Sequence, residues 1–248
     1  MTRIEWPTLA RTLAWILAAA FVLASVLLLI FALELFGGPP EPGAEFLDNV
    51  LADFAWQQTQ WPIEFAGTAL FAIGFLALGG LGPVLGRLAR SADARRGIVA
   101  AAFLTAGGLG AASQLLWIGA KPIATSAQYC ECGLLAEELM SRLMTLNIVT
   151  GIQTWLVSGA LLAAAVGLVA AGRLGREAGM PASWEWLALA TAVAALMGVV
   201  LPLFDVYPFD VLFVVLVAGI LVPIWAVWFG ARAAEIWPQA AGEASEPT

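Results

Sequence analysis

The sequence predicts an all-α polytopic membrane protein, with six transmembrane helices arranged as three hairpins and both termini on the cytoplasmic side. Three observations lead there. Of 248 residues, 61% are hydrophobic and 12% charged, roughly half the charged fraction of a soluble domain. Six apolar runs divide the chain, and about 20 apolar residues suffice to cross a bilayer core as a helix. The basic residues also segregate: Arg3, Arg11, Arg87, Arg90, Arg95, Arg96, Arg173, Arg176 and Arg232 fall on one side of the expected spans, against Lys121 and Arg142 on the other. Short basic loops stay in the cytoplasm, so this asymmetry sets the orientation expected in a bacterial-type inner membrane.

Helix one (about 9–35) follows a charged start, MTRIEWPTLAR. Its apolar run exceeds the roughly 7–15 residues of a signal h-region, so the sequence predicts that it is retained. After the breaker GGPPEPG, the segment 44–56 carries Phe46, Leu47, Val50, Leu51 and Phe54 on one side and Glu45, Asp48, Asn49 and Asp53 on the other. That pattern predicts a short amphipathic helix in the first outer loop, lying on the outer leaflet or capping the bundle. Helices two (63–86) and three (98–120) are glycine-rich, with Gly79, Gly80, Gly82 and Gly86 in one and Gly107, Gly108 and Gly110 in the other. Small residues let membrane helices approach closely, and Gly151, Gly159 and Gly167 extend that expectation to helix four.

Helix four (143–172) is the longest apolar run. Helix five (185–204) is short and has Pro202 near its outer end; helix six (209–231) contains Pro223, which removes a backbone bond and is expected to kink the helix. Trp6, Trp61, Trp117, Trp184, Trp186 and Trp237 fall near expected interfaces, as an aromatic belt requires. Gly86-Arg-Leu-Ala-Arg90 and Gly172-Arg-Leu-Gly-Arg176 form a short repeat, of a length that apolar, low-complexity helices also produce by chance. The six helices make one domain over 1–237, and the small acidic tail 238–248 is expected to be disordered.

Histidine is absent. That excludes histidine-ligated haem, the usual zinc and non-haem iron sites, and imidazole acid–base chemistry; no cofactor and no metal are expected. The formal net charge of −7 argues against nucleic acid, whose phosphates need clustered Lys and Arg. The expected partners are the lipid bilayer and either other membrane subunits or a lipid-like ligand.

Polar residues gather in the outer half. In helix four, Asn147, Thr150, Thr154 and Ser158 recur at intervals of three or four, which puts them on one face. Ser113 and Gln114 reach the same depth on helix three, and Glu64 and Thr68 on helix two. The candidate ligand-binding set is Glu64, Thr68, Gln114, Asn147, Thr150, Thr154 and Ser158, with helix four as its wall. Hydrocarbon offers these groups no hydrogen bonds, so they are expected to face inward. They act either as interhelical glue, for instance Gln114 to Asn147, worth roughly 0.5–2 kcal/mol, or as a pocket open to the outside. Glu64 is either inside its span or at the interface just after Trp61-Pro62, and the helix interiors are read as free of Asp, Glu, Lys and Arg, which argues against an ion path.

Cys130 and Cys132 lie in an outer loop, on the oxidising side of such a membrane, and are a candidate disulfide. So tight a ring is strained and readily reduced. A metal at this pair would need Glu131, Glu137 or Glu138 to complete it, an unusual set without histidine. The sequence therefore favours a small-ligand or lipid-binding protein, or an accessory subunit of a membrane complex, over an enzyme. Two alternatives are a small transporter or channel with an outward-facing polar pocket, and a quinone-linked thiol–disulfide oxidoreductase using Cys130 and Cys132.

Overall fold

The computed structural model describes residues 5–35, 38, 46–88, 94–125, 136–200 and 213–242. Among these the chain is helical without a strand, and six helices are long and apolar enough to cross a membrane. They are α1 (Trp6–Ala32), α2 (Phe46–Gly86), α3 (Ala94–Thr125), α4 (Ala136–Glu177), α5 (Ala182–Val200) and α6 (Val222–Gly242), the last preceded without a break by a π-helical segment, Val215–Leu221. Each helix packs on its neighbours in sequence, and α6 returns to α1, so the bundle is a closed row.

Contacts at the helix ends make neighbours antiparallel. The Arg87 guanidinium lies 5.0 Å from the Trp6 ring, joining the end of α2 to the start of α1. At the opposite end, Phe31 meets Trp56 with ring centroids 5.8 Å apart. Arg95 at the start of α3 makes a two-pronged pair with Glu177 at the end of α4, at 2.6 and 2.9 Å. Gly230 of α6 lies against Arg11 and Ala14 of α1. Arg11, Arg87, Arg95 and Arg96 thus share one end of the bundle.

Two devices hold the core. The first is glycine. A Cβ on Gly107 would fall 2.6 Å from the Phe75 carbonyl oxygen and 2.7 Å from the Gly79 Cα, so the α2 and α3 backbones touch there. Gly82 and Gly167 receive Phe103 from opposite sides, while Gly110 receives Phe75. Gly108 and Gly151 meet nothing within 4 Å, so neither brings two helices of this chain into close approach.

The second device is aromatic. Trp184 and Trp225, both fully buried, stack with centroids 5.4 Å apart and planes 18° apart. Trp184 Nε1 donates to the Trp225 carbonyl at 3.1 Å, and Phe103 and Phe229 close around the pair. Side chains from α3, α5 and α6 meet here. Trp184 is therefore a core residue and not part of an aromatic belt, whereas Trp186 is 68% exposed and Trp155, which the sequence did not single out, 78%.

Several boundaries differ from expectation, each for a local reason. The segment 44–56 is not a separate amphipathic helix, because from Phe46 onward it is the first part of α2. Pro62 deletes only one backbone bond and is exposed, and the helix passes through it. The extension stands against its neighbours: the Gln58 amide donates to the Thr125 carbonyl at the end of α3, and Phe54 is buried.

Pro223 falls in the first turn of α6, just after the π-helical segment. Val222 N–H donates to the Val217 carbonyl, five residues back, so the wider turn runs up to the proline, which has no N–H to continue it. The helix also continues through 238–242, which the sequence assigned to a disordered tail; 243–248 lie outside the described residues, as does Pro202.

If the α2–α3 seam carries the fold, Gly107→Leu should lower stability by about 1–3 kcal/mol or more through overpacking, while Gly108→Leu, one residue away and facing outward, should leave it unchanged. Thermal unfolding in mild detergent separates the two; equal effects would refute the seam.

Candidate functional site

A cavity of about 260 Å³ opens in the half of the bundle away from the shared arginine end. Helix α1 supplies its apolar wall, Ala24, Leu27, Leu28 and Phe31. Helix α2 adds Ile63, Glu64, Gly67, Thr68 and Phe71; α3 adds Gln114 and Trp117; α4 adds Gln153. These positions follow from helical spacing. Glu64, Gly67, Thr68 and Phe71 are i, i+3, i+4 and i+7 on α2, one stripe down one face, as are Gln114 and Trp117 on α3.

The chemistry centres on Glu64. Its Oε1 accepts from Trp117 Nε1 at 2.7 Å, and its Oε2 pairs with Lys121 Nζ at 2.5 Å. The Lys121 side chain is 5% exposed and that of Glu64 15%. The Lys121 ammonium also lies 5.0 Å from the Trp117 ring centroid and 5.9 Å from that of Phe31. Such cation–π contacts strengthen where water is excluded. The lysine is thus held by a carboxylate and two rings at once.

Around this pair the hydroxyls and amides are largely committed. Thr68 Oγ1 donates to the Glu64 carbonyl at 2.7 Å. Gln114 Nε2 donates to Ser113 Oγ at 3.1 Å, and Ser113 in turn donates to the Gly110 carbonyl. Gln114 and Thr68 are both buried.

Of the residues that the sequence singled out, the structure brings together Glu64, Thr68 and Gln114. It does not bring the helix-four set to them. Asn147, Thr150 and Thr154 are exposed and Ser158 is half-buried. Thr150 and Thr154 donate to the Leu146 and Thr150 carbonyls of their own helix, each at 2.9 Å, which satisfies them without facing inward. The Gln114–Asn147 bond offered as an example of glue is not what Gln114 makes.

Along the face of α4 that α5 covers, Gly172 meets Ala188, Gly175 meets Trp184 and Leu161 meets Gly198. Ser158, Thr154 and Asn147 continue that face toward the start of α4, where Thr154 and Asn147 are exposed. The one α4 residue that reaches the cavity is Gln153, adjacent to Thr154 but about 100° round the helix.

The sequence also missed Lys121, which it assigned to a loop. α3 runs on to Thr125, so the helix interiors do contain a second ionisable residue besides Glu64. One signal was available: Lys121 is the single lysine in a chain whose other cations are all arginine. Glu137 and Glu138 stand in the first turn of α4, where Arg142 meets Glu138 at 3.3 Å; Cys130, Glu131 and Cys132 lie outside the described residues. Among the described residues, no three Cys, Asp or Glu side chains converge as metal ligands.

Fold and site together define a membrane-type bundle, six helices among the described residues, with a mainly apolar cavity walled by its first four helices. No protein-family model, curated protein or solved structure matches the chain.

Removing one member of the buried pair strands the other. Lys121→Met should destabilise the protein by roughly 3–5 kcal/mol, and Glu64→Leu with Lys121→Met should recover most of that loss. A double-mutant cycle in detergent measures the coupling; additive effects would mean that the two charges do not act as a pair.

Proposed function

We propose that this protein binds a small amphipathic, lipid-like ligand in the cavity between α1, α2, α3 and α4, in a bacterial-type inner membrane with both termini in the cytoplasm. One observation carries the proposal. An apolar wall faces a polar one across about 260 Å³, with a carboxylate fixed between them by two donors. Small-molecule sites combine mainly apolar linings with a few placed polar groups and usually run to about 300–1,000 Å³. The volume suits a polar head and the first part of a tail, not a whole two-chain lipid. Gly67 lies on the floor with Leu27 Cβ 3.5 Å from where its own Cβ would be, so a larger side chain there fills the space. Delipidated protein offered a single-chain amphiphile should retain one copy in native mass spectrometry, and Gly67→Leu should reduce retention about tenfold. Equal retention by both proteins would place the ligand elsewhere.

A second reading, an accessory subunit of a membrane complex, is favoured by the exposed α4 face that carries Asn147, Gly151 and Thr154. Asn147, Gly151 and Thr154 offer a partner helix small and hydrogen-bonding groups at adjacent turns, the composition of membrane-helix contacts. In a chain with Cys130 and Cys132 replaced by Ser, cysteines at 147, 151 and 154 should crosslink to a neighbouring protein in native membranes, and a cysteine at 149 should not. The proposed orientation predicts that Asn147→Cys reacts with an impermeant maleimide added outside intact cells. Crosslinking without the helical period would count against the subunit reading, and protection from the maleimide against the orientation.

A further inference from the structure

We propose that the ligand is uncharged, and that the Glu64–Lys121 pair is the element that excludes charged amphiphiles. This deepens the binding reading above and rests on it. Among the described residues lining the cavity, Glu64 is the one ionisable group. Its charge is cancelled at contact distance by Lys121, so the site as a whole is neutral.

Neither charge is spare. One carboxylate oxygen accepts from Trp117 and the other from Lys121, while the ammonium rests against the Trp117 and Phe31 rings. A carboxylate or phosphate head would enter against the Glu64 carboxylate and could gain Lys121 only by detaching it. An ammonium head could gain Glu64 only by leaving Lys121 buried without its counter-ion. Both exchanges break a buried ion pair, which costs more than a new contact in the same place returns.

A hydroxyl or ester head meets no such penalty. Thr68 has spent its proton on the Glu64 carbonyl, so toward a ligand its oxygen is an acceptor. Gln114 has spent one N–H on Ser113 and keeps an amide oxygen. Gln153, half-buried at the α4 edge, carries both a donor and an acceptor. The chemical class that fits is a neutral single-chain amphiphile such as a monoacylglycerol, its tail against Leu27, Leu28 and Phe71.

The test compares three probes of equal chain length: a monoacylglycerol, the ionised fatty acid, and the alkyltrimethylammonium. The wild-type protein should bind the monoacylglycerol at least about tenfold more tightly than either ion. Glu64→Gln leaves Lys121 unmatched and should admit the fatty acid; Lys121→Gln leaves Glu64 unmatched and should admit the ammonium. The double variant Glu64→Gln with Lys121→Gln is neutral again and should return to the wild-type order. Should either single variant fail to fold, the wild type and the double variant still decide the matter by their own probe order. Wild-type binding of an ion as tight as that of the monoacylglycerol overturns the charge filter while leaving the cavity as a binding site. Binding of none of the three by wild type overturns both readings.

Discussion

The α2 and α3 backbones meet at Gly79 and Gly107, and most of what is distinctive in this bundle depends on that contact. It fixes a register. Glu64 lies 15 residues before Gly79, and Lys121 lies 14 residues after Gly107. On antiparallel helices those steps are about 22 and 21 Å, so closing the seam at the glycines brings the two charges level. The meeting of Glu64 and Lys121 thus rests on packing more than 20 Å away. A methyl group at Gly107 would drive the helices apart at the Phe75 carbonyl, and the pair would lose its shared side. The same seam seats Phe103 between Gly82 and Gly167, which links α4 to the arrangement.

The two halves of the bundle are built differently as a result. Toward the arginine end, Trp184, Trp225, Phe103 and Phe229 pack together in the centre. Toward the other end α1, α2, α3 and α4 line the cavity. The cavity lies in that second half. The π-helical segment before α6 belongs to this arrangement as well: it brings Gly219 so near α1 that a Cβ there would lie 2.9 Å from Ser25 Oγ.

Much of the architecture was legible in the sequence. Six apolar runs foretold six helices, and glycine at 79, 82, 107 and 110 foretold where two of them meet. Glu64, Thr68 and Gln114 were visible as polar residues at one depth. Three inferences failed together, and for a common cause. The helix-four stripe was taken for an inner wall, Lys121 for a loop cation and Trp184 for a belt residue. Each is a statement about what lies beside a residue, and spacing along one helix cannot supply it. Asn147, Thr150 and Thr154 do share a face; the rotation of α4 against the other helices decides what that face looks upon.

The sequence by itself determined the solvent in which this chain folds and the number of times it is able to cross it. Each residue carries its own cost of transfer into hydrocarbon, so composition and run length settle that question before any contact forms. Only the tertiary structure decided that Glu64 has Lys121 for a partner, that α1 supplies the greasy wall of the cavity, and that α4 contributes Gln153 in place of Thr154. Those facts depend on the register and rotation of helices against one another. A close backbone approach at a few glycines fixes them, and no single helix contains that information.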